Sequence, residues 1–211
     1  MSEICKELHF IFNNMKRLSF PFDKSKIPSN GIYILFEKGE KAHGAERVVR
    51  IGTHTGQNQL RSRLFQHFVN ENKDRSIFRK NIGRAILNKE KNNFIKKWEL
   101  DLTTKKAKDL YSSSIDFEKQ REIESRVTKY IQENFSFVVF QVDDKDKRLE
   151  FESRIISTIS LCNECNPYEF WFGRFSPKEK IKNSGLWLVN ELYKKPFSLG
   201  EFNDFKNFIS Q

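Results

Sequence analysis

Two short apolar runs, Gly31-Ile-Tyr-Ile-Leu-Phe-Glu37 and Val48-Val-Arg-Ile-Gly-Thr-His54, constrain this chain more than any other feature. Both are rich in β-branched and aromatic residues, and the segment between them, Lys38-Gly-Glu-Lys-Ala-His-Gly44, is a polar loop. The pattern predicts an antiparallel strand pair over residues 31–37 and 48–53 with a medium connection. Pro21, Pro28, Ser29 and Asn30 mark an extended lead-in to the first strand. Behind the second strand, Thr55-Gly-Gln-Asn leads into a basic helix from about Gln59, Leu60-Arg-Ser-Arg-Leu-Phe-Gln-His-Phe68.

The rest of the chain extends the same alternation. Residues 2–16 read as an amphipathic helix with Ile4, Leu8, Ile11 and Phe12 on one side. Asp116–Glu133 is a helix with Ile123, Val127, Tyr130 and Ile131 in register, and Phe135–Val142 a third strand. After a turn at Asp143-Asp-Lys-Asp146, Arg148–Leu161 is a further helix carrying Phe151, Ile155, Ile156 and Ile159. Residues 72–115 read as a helical insertion. The expected fold is α+β: a small three-stranded antiparallel sheet flanked by helices. Residues 1–30 form an N-terminal helix and lead-in, 31–166 the core, and 167–211 a C-terminal extension packed on it.

A chain of 211 residues can bury one full core. Its net charge of +10 points to a polyanionic partner, nucleic acid before an anionic membrane. No run approaches the ~20 apolar residues needed to cross a bilayer. Glu3 and Lys6 stand where a secretory signal would need an apolar stretch, so a cytoplasmic location is expected. Cys162-Asn-Glu-Cys165 has metal-knuckle spacing. Yet Cys5 is the sole other cysteine, and His9, His43, His54 and His67 are scattered along the sequence. The expectation is three free thiols rather than a four-ligand zinc site.

One ordered set stands out: Tyr33 in Gly31-Ile-Tyr33, Gly52 in Arg50-Ile-Gly52, Arg63 with His67 one turn later, and Glu152 in a late helix. Over residues 31–166 this resembles the GIY-YIG nuclease superfamily, in its restriction-endonuclease-like bacterial branch. Its small mixed domain cuts nucleic acid with one divalent metal. The order β-β-α, insertion, α-β-α agrees with that core. The resemblance implies that Tyr33 helps to deprotonate the attacking water. It implies that Arg63 neutralises the scissile phosphate, a task suited to a permanently charged planar guanidinium. His67, at i+4 from Arg63, would relay a proton or orient Tyr33. Glu152, followed by Ile155-Ile156, would hold the metal, Mg²⁺ with Mn²⁺ as a substitute. Glu150 fits that place less well, and Asn163 and Asn166 compete for a late asparagine. The departure is Arg50, where many members carry a second tyrosine.

The implied activity is a metal-dependent DNA endonuclease of restriction or defence type, acting on double-stranded DNA as a monomer or homodimer. A repair or mobile-element nuclease is the alternative within the class, and a catalytically silent DNA-binding protein the alternative outside it. Arg61, Arg79, Lys80, Arg84 and Arg174 are the expected DNA-backbone contacts.

Overall fold

The computed structural model describes residues 2–210. In chain order the elements are α1 (Ser2–Asn14), β1 (Leu18–Ser19), β2 (Gly31–Ala42), β3 (Ala45–Gly52), α2 (Leu60–Phe68), α3 (Ile77–Lys89), α4 (Ile95–Trp98) and α5 (Lys105–Tyr111). Then follow α6 (Phe117–Asn134), β4 (Phe135–Gln141), α7 (Lys145–Ser160), α8 (Glu179–Ser184) and α9 (Leu199–Ile209). The α+β class and the antiparallel sheet are as the sequence predicts. The sheet nevertheless has four strands in the order β1-β4-β2-β3, because Leu18 and Ser19 of the lead-in pair with Phe137 and Ser136.

The hairpin differs from its prediction too. β2 and β3 run on to Ala42 and Ala45, and the connection shrinks to the two residues His43 and Gly44. Their φ values of 52° and 76° are the left-handed pair that matches strand twist in a two-residue turn, and glycine takes the second at no steric cost. Polar composition hid this, since Glu40 and Lys41 belong to the strand. Near its other end the hairpin carries a bulge. Leu35 pairs with Arg50 but Phe36 with Val48, leaving Val49 as the extra residue.

Alternation along β2 divides the interior in two. Ile32, Ile34 and Phe36, with Ile51 and Val138, pack against α1, α7 and α9. Tyr33 and Leu35, with Phe135 and Phe137, pack against α2, α3 and α6. Asp116 and Asp144 accept from the backbone N–H groups of Lys119 and Lys147, so they cap α6 and α7. α7 therefore starts at Lys145, inside the segment read as a turn.

The segment expected as an insertion contributes a core layer. α3 is buried from Phe78 to Leu87, and Trp98 lies so close over Gly83 that an added Cβ would sit 2.3 Å from its ring. This places three of the expected DNA contacts, Arg79, Lys80 and Arg84, in the interior and paired with protein groups. Arg79 is fully buried, donating to Glu124 Oε2 at 2.7 and 3.0 Å and to Thr128 Oγ1 at 2.7 Å. Lys80 donates to the Glu99 carbonyl at 2.9 Å, and Arg84 makes two 2.6 Å bonds to the Glu99 carboxylate. These cations hold α3 to α6 and to the α4 segment, and their charge is already spent inside the protein.

The C-terminal extension is anchored through one buried carboxylate. Glu37 of β2 accepts from the indoles of Trp171 and Trp187 at 2.7 and 2.8 Å and from the Tyr130 hydroxyl. Burial pushes its carboxyl up, against those three donors. Trp187 then lies along the outer edge of β3, its N–H donating to the Val49 carbonyl at 2.7 Å.

Candidate active site

The outer edge of β3 faces the gap between the two helical layers. Arg50 and Ile51 from β3, Arg63 from α2, Asn81 from α3, Glu152 from α7 and Leu188–Glu191 from the extension line a cleft of about 530 Å³. Thr55 and Arg63 also line an adjoining cavity of about 370 Å³ with Ser62 and Gln66. Arg63 thus stands where two concavities meet, half-buried, one guanidinium nitrogen donating to the Arg75 carbonyl at 3.0 Å.

Tyr33 and His67 lie beneath this cleft, both essentially inaccessible. Tyr33 pairs across the sheet with Gly52. A Cβ on Gly52 would fall 2.2 Å from the Tyr33 hydroxyl oxygen, so residue 52 must be glycine for the ring to lie over the strand. The Tyr33 hydroxyl is 2.8 Å from His67 Nε2, and His67 Nδ1 is 2.7 Å from Ser76 Oγ. Burial, with the cations Arg63, Arg50 and Arg79 adding to it, holds the imidazole well below its ordinary range. A neutral ring with Nδ1–H toward Ser76 leaves Nε2 to accept from Tyr33.

Arg50 links this buried pair to the cleft. Its Nε lies 3.4 Å from the Tyr33 hydroxyl, a long contact, and Nη1 donates to the Trp187 carbonyl. Ordinary strand alternation puts Arg50, which pairs with Leu35, on the same sheet face as Tyr33 and Gly52.

Glu152 projects from α7, and its Oε1 accepts from the Thr53 N–H at 3.1 Å. Burial pushes its carboxyl up to about 7, and the nearby Glu191 adds to the shift; Arg50, the Thr53 N–H and Arg63 act against it. Near neutral pH such a group is close to half protonated, and a cation arriving beside it would displace the proton. A half-buried carboxylate beside Glu191 and Asn190 at the cleft wall is a hard-oxygen donor set suited to Mg²⁺.

The other expected residues lie apart from these. Asn163 and Asn166 sit in the exposed turn after α7 and do not line the cleft. Arg61 and Arg174 are exposed, each tethered to backbone carbonyls, Ile27 for Arg61 and Pro167 and Tyr168 for Arg174. Sequence reasoning missed Asn81, Asn190 and Glu191. Asn81 is fully buried at the cleft wall, and its amide nitrogen has no partner. Nothing in its local sequence marks it. Glu191 and Asn190 follow Trp187 closely enough that anchoring the tryptophan would have placed them.

A family model described as a GIY-YIG domain matches residues 2–211. The chain belongs to the GIY-YIG family, a family of nucleases that generally depend on a divalent metal. No curated protein matches the chain, and no solved structure does. Among the described residues no helix is long and apolar enough to cross a membrane.

Proposed function

We propose that this protein is a divalent-metal-dependent DNA endonuclease of restriction or defence type. The observation that carries the reading is the gathering of Arg50, Arg63 and Glu152 on one cleft, directly above the Tyr33–His67 pair. Hydrolysis of a phosphodiester needs an acceptor for the water's proton, positive charge against the pentacovalent phosphate, and a stabilised leaving oxygen. Neutral His67 accepts the Tyr33 hydroxyl hydrogen bond at Nε2 and orients it, and the Tyr33 oxygen, once ionised, receives the proton of the attacking water. Arg63, at the junction of two cavities, holds the phosphate, and the orphaned amide of Asn81 is a second donor toward it. Glu152 would hold Mg²⁺, or Mn²⁺ in its place, which supplies charge neutralisation at the phosphate. Arg61 and Arg174 remain the exposed cations suited to duplex backbone contact.

The test is incubation of the purified protein with varied plasmid DNAs and Mg²⁺ or Mn²⁺, followed by sequencing of the ends. Metal-dependent cuts are expected. One observation favours a second reading, a silent DNA-binding protein: the Tyr33 hydroxyl is buried behind Arg50. No cleavage with either ion on any DNA would establish it.

Arg50 also separates the two. In the nuclease, Arg50→Ala is expected to slow cleavage about 10²-fold, the scale of one lost transition-state donor. Because Arg50 helps to hold the Glu152 carboxyl down, its loss moves the pH dependence of metal binding upward. Unchanged cleavage across pH would make Arg50 a bystander.

The Glu152 carboxyl gives a further prediction. Its pKa stands near 7 when folded, against ~4.3 for a free glutamate, so ionising it costs folding stability as pH rises through that window. Metal must displace the proton. Affinity for Mn²⁺ is therefore expected to fall about tenfold per pH unit below 7 and to level off above it. Titration calorimetry at several pH values reads this directly, and a flat profile would remove Glu152 as the ligand.

A further inference from the structure

Two of the four histidines and two of the three cysteines, far apart in sequence, meet at a second place. Cys5 and His9 lie one turn apart on α1, His43 sits at the tip of the β2–β3 hairpin, and Cys165 follows α7. One ligating atom from each lies within 4.8 Å of all the others. The two sulfurs are 3.5 Å apart, and Cys165 Sγ is 3.6 Å from His9 Nε2. A tetrahedral site with bonds of ~2.0 Å to nitrogen and ~2.3 Å to sulfur has edges of roughly 3.3–3.8 Å. The sulfur–sulfur and Cys165–His9 edges already match that size, and the other pairs, all within 4.8 Å, would close by about 1.5 Å at most.

Burial argues the same way. Cys5 and His9 are fully buried, Cys165 nearly so, and the His43 side chain is 2% exposed. A cysteine alone is an ordinary core residue. Two imidazoles enclosed with two thiols are not, since each ring carries polar nitrogens that the apolar interior would leave costly. The surroundings supply the outer contacts that ligating histidines use. His9 Nδ1 is 2.9 Å from the Cys5 carbonyl and His43 Nδ1 is 3.6 Å from Glu164 Oε2, so each ring can point Nε2 inward. His9 Nε2 also lies 3.2 Å from the Val48 N–H, a contact that an ion would replace. Cys162 stands at the rim, 3.5 Å from His43 Nε2.

We propose that Cys5, His9, His43 and Cys165 form a structural Zn²⁺ site. Both thiols release their protons to solvent as the two Zn–S bonds form, and neutral Nε2 atoms complete a closed tetrahedron with no position left for substrate. The site would fasten α1, the hairpin tip and the turn after α7 to one another. It is separate from the cleft, where Glu152 offers oxygen. The three cysteines are free in the structure, as expected, and their gathering with the histidines is not legible locally because the four residues come from three segments more than 30 residues apart that only folding assembles.

The test uses full-length protein purified without a histidine tag or chelator. Elemental analysis should find about one zinc per chain. Co²⁺ exchanged into the site should give thiolate charge-transfer absorption and the intense visible bands of tetrahedral coordination. Cys5→Ser and Cys165→Ser should lose the metal, while Cys162→Ser and Glu152→Ala keep it. Stripping the parent protein should lower its Tm by roughly 10 °C or more, restored by Zn²⁺ and not by Mg²⁺. Absence of zinc together with no cobalt spectrum in the parent protein would overturn the proposal, whatever the variants do. A Cys5–Cys165 disulfide in the freshly isolated protein, or equal zinc in the double variant Cys5→Ser/Cys165→Ser, would overturn it too.

Discussion

Glu152→Gln is expected to lower metal-dependent DNA cleavage by about 10³-fold or more while leaving DNA affinity within a few-fold of the parent. The amide keeps the size of the carboxylate and can still accept from the Thr53 N–H. What it removes is the negative charge that a divalent cation requires at the cleft wall. Single-turnover cleavage beside a binding titration in Ca²⁺ separates the two effects. Equal losses in binding and cleavage would mean that Glu152 shapes the DNA surface, and an unaffected rate would move the metal to Glu191 or elsewhere.

Arg79→Ala is expected to destabilise the protein by about 3–5 kcal/mol, the scale for one partner removed from a buried ion pair. The Glu124 carboxylate would keep its short bond to the Lys73 N–H but lose both guanidinium contacts and stay buried. Burial already pushes the Glu124 carboxyl up against the pull of Arg79, so without Arg79 it takes up a proton more readily and the deficit narrows toward acid pH. Urea unfolding at two pH values measures both effects. The double variant Arg79→Met/Glu124→Gln should recover most of the loss, because no charge then remains to be compensated. A loss below about 1 kcal/mol for Arg79→Ala would instead fit a solvated side chain, and with it the phosphate contact that the sequence suggests.

The contrast between these residues shows what the sequence discloses. Strand segments and helix faces follow from local periodicity, the ordered set from Tyr33 to Glu152 from the resemblance to the GIY-YIG family, and the family match covers them. Arg79, Lys80 and Arg84 look locally like a basic helix face. Their partners Glu124 and Glu99 lie 15–45 residues away, and no local pattern tells a paired cation from a free one. The short lead-in strand escaped notice for a related reason. Two residues carry no period, and only the exposed edge of β4 recruits them. Asp144, by contrast, was legible as a cap in principle, since an aspartate before Lys145-Asp-Lys-Arg148 is an ordinary helix start.

The attachment of the tail through Glu37 bears on portability. Trp187 gives its indole to Glu37, its backbone N–H to the β3 edge and its carbonyl to Arg50. Three ties from one residue reach the anchor, the scaffold and the cleft. The nuclease-like core over residues 31–166 is therefore not a cassette that could be excised and grafted elsewhere. Without the tail, Arg50 loses its carbonyl acceptor and the outer edge of β3 lies open to pair with another chain. What looks in the sequence like an appendage is the far wall of the cleft.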